Sequence, residues 1–342
     1  VKTALIYTKS INNVNNLKGR QMEKSRKTAV LIPCYNESKT IKKVVEDYKR
    51  VMPHADIYVY DNNSADGTDE IARQAGAIVR YEYRQGKGNV VRSMFREIDA
   101  DCYIMTDGDD TYPAEFALEL EKQIYENRAD MAIGDRLSST YFTENKRPFH
   151  NIGNVLVRKL INTLFKANVK DIMTGSRGFT KEFVKAFPVT SKGFEIETEM
   201  TIFALDNNMK IVEVPIDYRD RPEGSESKLN TYSDGFKVLK TIGSLFRDTK
   251  PYLFFSMVSL FLIAIGAVFF VPIVKTYLET GLVDRYPTLI VVTSLWVIAI
   301  ISYFSGVILQ VLKKQHRHNF ERYLNMMEEI NKLHVDSVNL KD

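Results

Sequence analysis

Two long stretches of this chain carry no charged side chain: residues 252–274, YLFFSMVSLFLIAIGAVFFVPIV, and residues 288–312, TLIVVTSLWVIAIISYFSGVILQVL. At a rise of ~1.5 Å per residue, a helix of either stretch covers the ~30 Å hydrocarbon core of a bilayer. Soluble cores seldom run so far without a charge, so the stretches are read as two membrane spans. Arg247 and Lys250 precede the first; Lys313, Lys314 and Arg317 follow the second. The loop between them, 275–287, balances Lys275 and Arg285 against Glu279 and Asp284. Positive charge at the two outer ends predicts a multi-pass cell-membrane hairpin, both termini cytoplasmic and a short loop outside.

Everything before the spans reads differently. Residues 28–220 alternate short apolar runs rich in β-formers with longer amphipathic runs. The predicted strands are TAVLIPCY ending near Pro33, then DIYVYD, AIVRYE, DCYIMTD and ADMAIGDR. The predicted helices between them are SKTIKKVVEDYKRVM, GTDEIARQAG, GNVVRSMFREI and PAEFALELEKQIYENR. Such alternation favours an α/β fold around a mostly parallel sheet, where ligands bind beyond the carboxyl ends of the strands. A hydrophobic content of 44% is enough for a packed core, and a formal charge of +4 makes no case for a nucleic-acid partner. Cys34 and Cys102 lie in apolar strand-like runs and read as buried thiols.

The sequence divides into a polar extension (1–27), an α/β domain (28–229), an amphipathic helix (230–250), the two-helix membrane hairpin (251–312) and a cytoplasmic C-terminal helix (313–342). In 230–250, Phe236, Leu239, Ile242 and Phe246 share one side with Lys237, Lys240 and Arg247 around them. That pattern suits a helix in the membrane interface or one packed on the sheet. Phe320, Leu324, Met327 and Ile330 recur at helical spacing in the last segment. Their apolar face needs a partner, either a second copy in a homo-oligomer or the chain's own α/β domain.

Three polar clusters fall at strand ends. Asp107-Gly108-Asp109-Asp110-Thr111 follows the strand CYIMT, and Pro113 then opens a helix. Clustered carboxylates repel one another unless a divalent cation and a diphosphate share the site, and hard oxygen ligands suit Mg²⁺ or Mn²⁺. A solvated acidic turn is the plainer reading of that run alone. Pro33-Cys34-Tyr35-Asn36-Glu37-Ser38 closes the first strand, and Asp61-Asn62-Asn63-Ser64-Ala65-Asp66-Gly67-Thr68 the second. Both put short polar side chains and a helix start at the same sheet edge. Ser38 and Thr68 are expected to serve the local turns and caps.

The series PCYNE, DNNSADGT, GKG at 86–88 and DGDDT resembles family 2 glycosyltransferases of the GT-A fold. GDR at 134–136, DIMTGSRGF at 171–179, GFEIETEM at 193–200 and RPEGSESK at 221–228 resemble the polyprenyl-phosphate members, which include dolichol-phosphate mannose synthase and bacterial bactoprenol glycosyltransferases. The resemblance covers about residues 28–230, and the two-span tail also resembles the bacterial members. It implies that Pro33, Tyr35, Asn36, Glu37, Asp61, Asn62, Lys87 and Asp107 bind nucleotide. It puts Asp107 and Asp109 on the metal and diphosphate positions, with Mg²⁺ or Mn²⁺ as cofactor. Arg136 and Arg147 would face phosphate, and Arg221, Ser227 and Lys228 would lie on a loop closing over the site. Two departures stand out: Asn62 where the family often has a second Asp, and Thr111 where mannose synthases often have Gln. The latter weakens a third metal ligand and a GDP-mannose donor.

The implied reaction is inverting transfer of a hexose or N-acetylhexosamine from a UDP-sugar to undecaprenyl (polyprenyl) phosphate at the cytoplasmic face. A phosphate monoester, with a second pKa near ~6, is largely dianionic at neutral pH and attacks without a general base. Glu195, Glu197 and Glu199 then read as helix-start carboxylates, with Glu197 kept as a catalytic candidate. The rivals are transfer to a hydroxyl of a lipid-linked glycan and a non-catalytic membrane scaffold. A processive polysaccharide synthase would carry a QxxRW motif, and Trp296, the single tryptophan, lies inside the second span.

Overall fold

The computed structural model describes residues 26–138, 148–219, 243–244 and 246–339. The expected contributions of Arg147, Arg221, Ser227 and Lys228, and most of the amphipathic segment from 230, lie outside the described residues. The chain forms two compact units, divided between Thr231 and Tyr232.

The first unit is built on a seven-stranded sheet. Its strands are β1 (Thr28–Cys34), β2 (Asp56–Asp61), β3 (Ile78–Tyr81), β4 (Cys102–Met105), β5 (Met131–Asp135), β6 (Arg177–Thr180) and β7 (Ile211–Pro215). They lie in the order β3-β2-β1-β4-β6-β5-β7. All neighbouring pairs are parallel except those made by β6, which runs antiparallel to β4 and β5. The five strands expected from the sequence are present. β6 and β7 add to them, and β6 inserts between β4 and β5.

The helices of this unit are α1 (Ile41–Val51), α2 (Thr68–Gln74), α3 (Lys87–Glu97), α4 (Phe116–Tyr125), α5 (Pro148–Phe165), α6 (Lys181–Ala186) and α7 (Ile196–Asp206). Helix α1 forms because Ile41, Val44, Val45 and Tyr48 return to one face every three or four residues, and all four are buried. Alternate residues of β1 and β4 feed opposite faces of the sheet. Val30, Ile32, Cys102 and Ile104 join the layer under α1 and α4. On the other face Phe95, Tyr103, Phe179 and Phe183 pack edge-to-face and stacked. Cys34 and Cys102 are buried free thiols, as expected.

Register fixes where the site forms. Cys34 stands opposite Asp61, and Asp61 opposite Tyr81, so β1, β2 and β3 end at one level. Reversed β6 begins where β4 ends, with Arg177 opposite Met105. The turn 171–176 therefore arrives at the same edge as the acidic run after β4.

The second unit contains α8 (Pro251–Thr280) and α9 (Tyr286–Asn339), helices long and apolar enough to cross a membrane. Gly281 closes α8 in a left-handed conformation at φ +73°, a geometry that suits glycine. The helices pack along a seam of period seven: Ser259, Gly266 and Ile273 on α8 are buried, as are Val292, Ala299 and Gly306 on α9. A strict seven-residue repeat keeps two helices in contact through a left-handed coil, and small residues let their backbones approach. A Cβ on Gly266 would lie 2.4 Å from the Trp296 indole, and one on Gly306 2.8 Å from Phe255 Cβ. The sequence reading separated the second span from a C-terminal helix at 312/313; α9 runs through that point without a break.

Candidate functional site

The loops after β1 and β2 are stitched together. Asn36 N–H donates to Ser64 Oγ (2.9 Å), Glu37 N–H to Thr68 Oγ1 (2.8 Å) and Ser38 N–H to Asp66 Oδ2 (3.0 Å). Asn36 Oδ1 accepts from Ala65 N–H at 2.8 Å. Asn36 therefore helps build the rim, and Thr68, the first residue of α2 after Gly67 at the cap position, bridges the two loops and makes no side-chain cap.

Asp61, at the end of β2, is buried and accepts from Ser64 N–H through Oδ2 at 3.0 Å. Its Oδ1 is buried with no hydrogen-bond partner. An unpaired buried acceptor is costly, which suits a ligand donor arriving there. Asn62 does something else. Its amide donates to the carbonyls of Glu82 (2.6 Å) and Arg84 (2.9 Å), and its Oδ1 accepts from Gly86 N–H (2.7 Å). This side chain, which also lines the cleft, clamps the 82–86 turn, a task that needs an amide because an aspartate cannot donate to two carbonyls. Glu82 braces that turn from below: Arg84 and Ser93 donate to its carboxylate and hold its pKa down to about 2.

That turn delivers Lys87 to the centre. Its ammonium lies 2.5 Å from Asp107 Oδ1 and 2.6 Å from Glu197 Oε1, with the Phe194 ring centroid at 5.9 Å. Burial works to lower the pKa of Lys87, but the two carboxylates outweigh it and hold it raised. Burial, with Asp107 nearby, raises the Glu197 carboxyl against the pull of Lys87. Gly175 closes over Asp107 from the turn before β6, where a Cβ would lie 2.5 Å from Asp107 Oδ2.

The other acids of the run point to separate tasks. Asp109 is buried and accepts from the Thr111 hydroxyl at 2.7 Å. Asp110, at φ +60°, accepts from Lys43 through both oxygens at 2.6 Å, which explains why it adds nothing to the Lys87 cluster. Pro33, Tyr35, Glu37, Asn62, Lys87, Asp107 and Asp109 line one cleft together with Gln85, Val90 and Phe194. Those last three were not singled out in the sequence; Phe194 sits inside the GFEIETEM motif, but its reach toward Lys87 is set by tertiary packing.

Arg136 lies apart from this cluster of contacts. Its Nε and Nη2 form a two-point contact with Asp171 at 2.7 and 3.0 Å, and its Nη1 faces Tyr112 Oη at 3.3 Å. The expected phosphate ligand is thus held mainly as half of a buried ion pair. Arg177 is fully buried, and burial lowers its pKa to about 10. It donates to the carbonyls of Thr174 (3.0 Å) and Ile172 (2.6 Å) and so shapes the turn that carries Gly175.

Among the described residues no three or more His, Cys, Asp or Glu side chains form a ready metal nest. Asp107 and Asp109 offer hard carboxylate oxygens after β4, the ligand type that suits a divalent cation.

A mostly parallel sheet with a reversed strand beside an acidic turn, and a cleft at its carboxyl edge, define a GT-A glycosyltransferase fold. The sequence model described as glycosyl transferase family 2 matches residues 29–187. Glycosyltransferase AglJ of Haloferax volcanii is 34% identical over 230 residues, covering 67% of this chain and 75% of that protein. A dolichyl-phosphate hexose transferase of the same organism is 32% identical over 214 residues, 63% of this chain and 91% of that one. Glucosyl-3-phosphoglycerate synthase from Mycobacterium tuberculosis, solved with Mn²⁺, UDP and glucosyl-3-phosphoglycerate, has a similar fold. Its TM-score is 0.53 at 19% identity, over 65% of this chain and 81% of that one. The chain belongs to glycosyl transferase family 2.

Proposed function

We propose that this glycosyltransferase moves a hexose or N-acetylhexosamine from a UDP-sugar to the phosphate of a polyprenyl lipid at the cytoplasmic face, inverting the anomeric centre. The observation that carries the reading is the commitment of Glu197 to Lys87 at 2.6 Å. A buried carboxylate engaged in this way is poorly placed to deprotonate a sugar hydroxyl, whereas a phosphate acceptor needs no such base. The dolichyl-phosphate hexose transferase among the relatives supports the same acceptor class.

Each residue then has work to do. Asp61 Oδ1 suits the imide N–H of uracil, and Tyr35, 38% exposed at the rim, offers a face to the base. Lys87 offsets the charge of Asp107 and the diphosphate. Asp107 and Asp109 would hold Mg²⁺ or Mn²⁺, which would stabilise the departing diphosphate. A phosphate oxygen of the lipid forms the new bond to the anomeric carbon as the bond to the nucleoside diphosphate breaks. Arg147, Arg221, Ser227 and Lys228 are proposed to receive the acceptor phosphate, and α8 and α9 to hold the enzyme at the bilayer.

The test is a panel of labelled nucleotide sugars given to membranes with undecaprenyl phosphate. Label should enter the lipid fraction only from UDP-sugars and only when the lipid phosphate is supplied. Label appearing on a lipid-linked glycan hydroxyl instead would replace this reading with its rival.

A further inference from the structure

We propose that Glu199 is a positioning residue for sugar transfer, acting on the reaction through Lys87 by way of the turn at residues 190–193. The proposal rests on the reading of the Lys87 cluster as the transferase centre. Its starting point is that Glu197 and Glu199, two residues apart on α7, are both buried yet serve different partners. Glu197 meets Lys87 directly. Glu199 turns to the segment before the helix. Its Oε1 accepts from Thr190 N–H at 3.1 Å and from the Thr190 hydroxyl, and its Oε2 accepts from Ser191 N–H at 2.9 Å.

Three donors from two consecutive residues on one carboxylate fix a turn more firmly than neutral hydrogen bonds would, because bonds to an ionised acceptor are the stronger kind. The turn held in this way is the one that lies on the GKG loop. Gly88 N–H donates to the Lys192 carbonyl at 3.1 Å. A Cβ on Gly88 would lie 2.1 Å from the Ser191 carbonyl oxygen, and one on Gly86 2.1 Å from the Lys192 carbonyl oxygen. Both glycines flanking Lys87 are thus in backbone contact with residues that Glu199 anchors directly or through the next peptide. Lys87 begins α3, so its ammonium can meet Asp107 and Glu197 together only while that contact holds its backbone. Glu195 adds to the turn by accepting from Gly193 N–H at 3.3 Å. The three-glutamate run therefore divides its labour: Glu195 holds Gly193, Glu197 meets the lysine, and Glu199 anchors Thr190 and Ser191.

A role exerted through Lys87 has a signature that a general stabilising role lacks. In a double-mutant cycle, two changes that act through the same group fail to multiply. The experiment measures kcat/KM for sugar transfer to polyprenyl phosphate by the full chain in membranes, for wild type, Glu199→Ala, Lys87→Ala and the double variant. Glu199→Ala should lose roughly 10- to 30-fold, and the double variant should lie within about 3-fold of Lys87→Ala alone. Losses that multiply would overturn the proposal. Gly88→Ala disturbs the same contact from the other side and covers the case in which Glu199→Ala does not fold. It should also fail to multiply with Lys87→Ala, and multiplication there would count equally against the proposal. A wild-type protein that transfers no sugar would defeat the transferase reading itself, a separate result from an active protein with independent losses.

Discussion

The two units use glycine for opposite ends. In the α/β unit, Gly86, Gly88 and Gly175 let backbone carbonyls and a carboxylate close around charged groups: Lys87, Asp107 and Glu197. In the hairpin, Gly266 and Gly306 let two helices close on Trp296 and Phe255, with no charge anywhere in 252–274 or 288–312. The difference follows from the surroundings. A water-facing domain buries apolar layers for stability and can then hold a few desolvated charges in pairs, where a low dielectric makes their placement matter. For two helices apolar enough to cross a bilayer, lipid would remove the hydrophobic drive between them, and contact would come from close packing of small residues. Charge placement is the working feature of the first unit, and backbone approach that of the second.

The sharpest way to break this contrast is to strand a charge in the first unit. Glu197→Gln leaves Lys87 with one carboxylate, and removal of a partner from a buried pair commonly costs about 3–5 kcal/mol. Transfer should fall by two orders of magnitude or more, on the order of the loss seen when one electrostatic contact to a reacting group is removed. Radiolabel transfer and a thermal melt check both. Near-wild-type activity would show that the pair is ornamental to the chemistry.

Gly266→Leu attacks the second unit instead. The added side chain must enter space already held by the Trp296 indole, and overpacking of this kind costs about 1–3 kcal/mol. Melting in detergent should drop, while nucleotide affinity measured by titration stays unchanged. A nucleotide-binding defect would mean that the two units are not separable in this way.

The smallest effect is expected at Lys43. It contacts Asp110 at 2.6 Å, a bond as short as that from Lys87 to Glu197, but its side chain is 53% exposed against 9% for Lys87. Exposed pairs contribute about 0–1 kcal/mol, so Lys43→Ala should change transfer less than 3-fold. A loss comparable to that of a Lys87 variant would show that burial is not what separates the two lysines.

Much of this contrast was visible in the sequence, because it is carried by local pattern. Uncharged stretches announce two helices long and apolar enough to cross a membrane, and alternation of short and long apolar runs announces the first five strands. The acidic run after CYIMT drew attention to Asp107 and Asp109, and the family resemblance to Lys87, and all three line one cleft. What stayed hidden depends on residues far apart in the chain. Nothing local in RGFT says that β6 runs backwards between β4 and β5. The clamp made by the Asn62 amide is invisible in the sequence because its three partners lie 20 to 24 residues away. The ion pair of Arg136 is hidden for the same reason, since its partner, Asp171, is 35 residues on. That α9 continues through 312/313 is equally hidden, because a helix backbone is indifferent to the change from apolar to charged side chains that marks that point in the sequence.

The central claim is that the acidic run after β4 is where transfer happens, and one measurement addresses it directly. The full chain in membranes, supplied with labelled UDP-sugar and polyprenyl phosphate, is compared with its Asp109→Asn variant and with wild type in EDTA. Asp109 is buried on Thr111, and the substitution is nearly isosteric, so the variant should insert and fold as wild type does. Transfer should fall ~10²- to 10³-fold in the variant, chelation should mimic the loss, and added Mg²⁺ or Mn²⁺ should restore only the chelated wild type. Full transfer by Asp109→Asn, or by wild type in EDTA, would contradict the account.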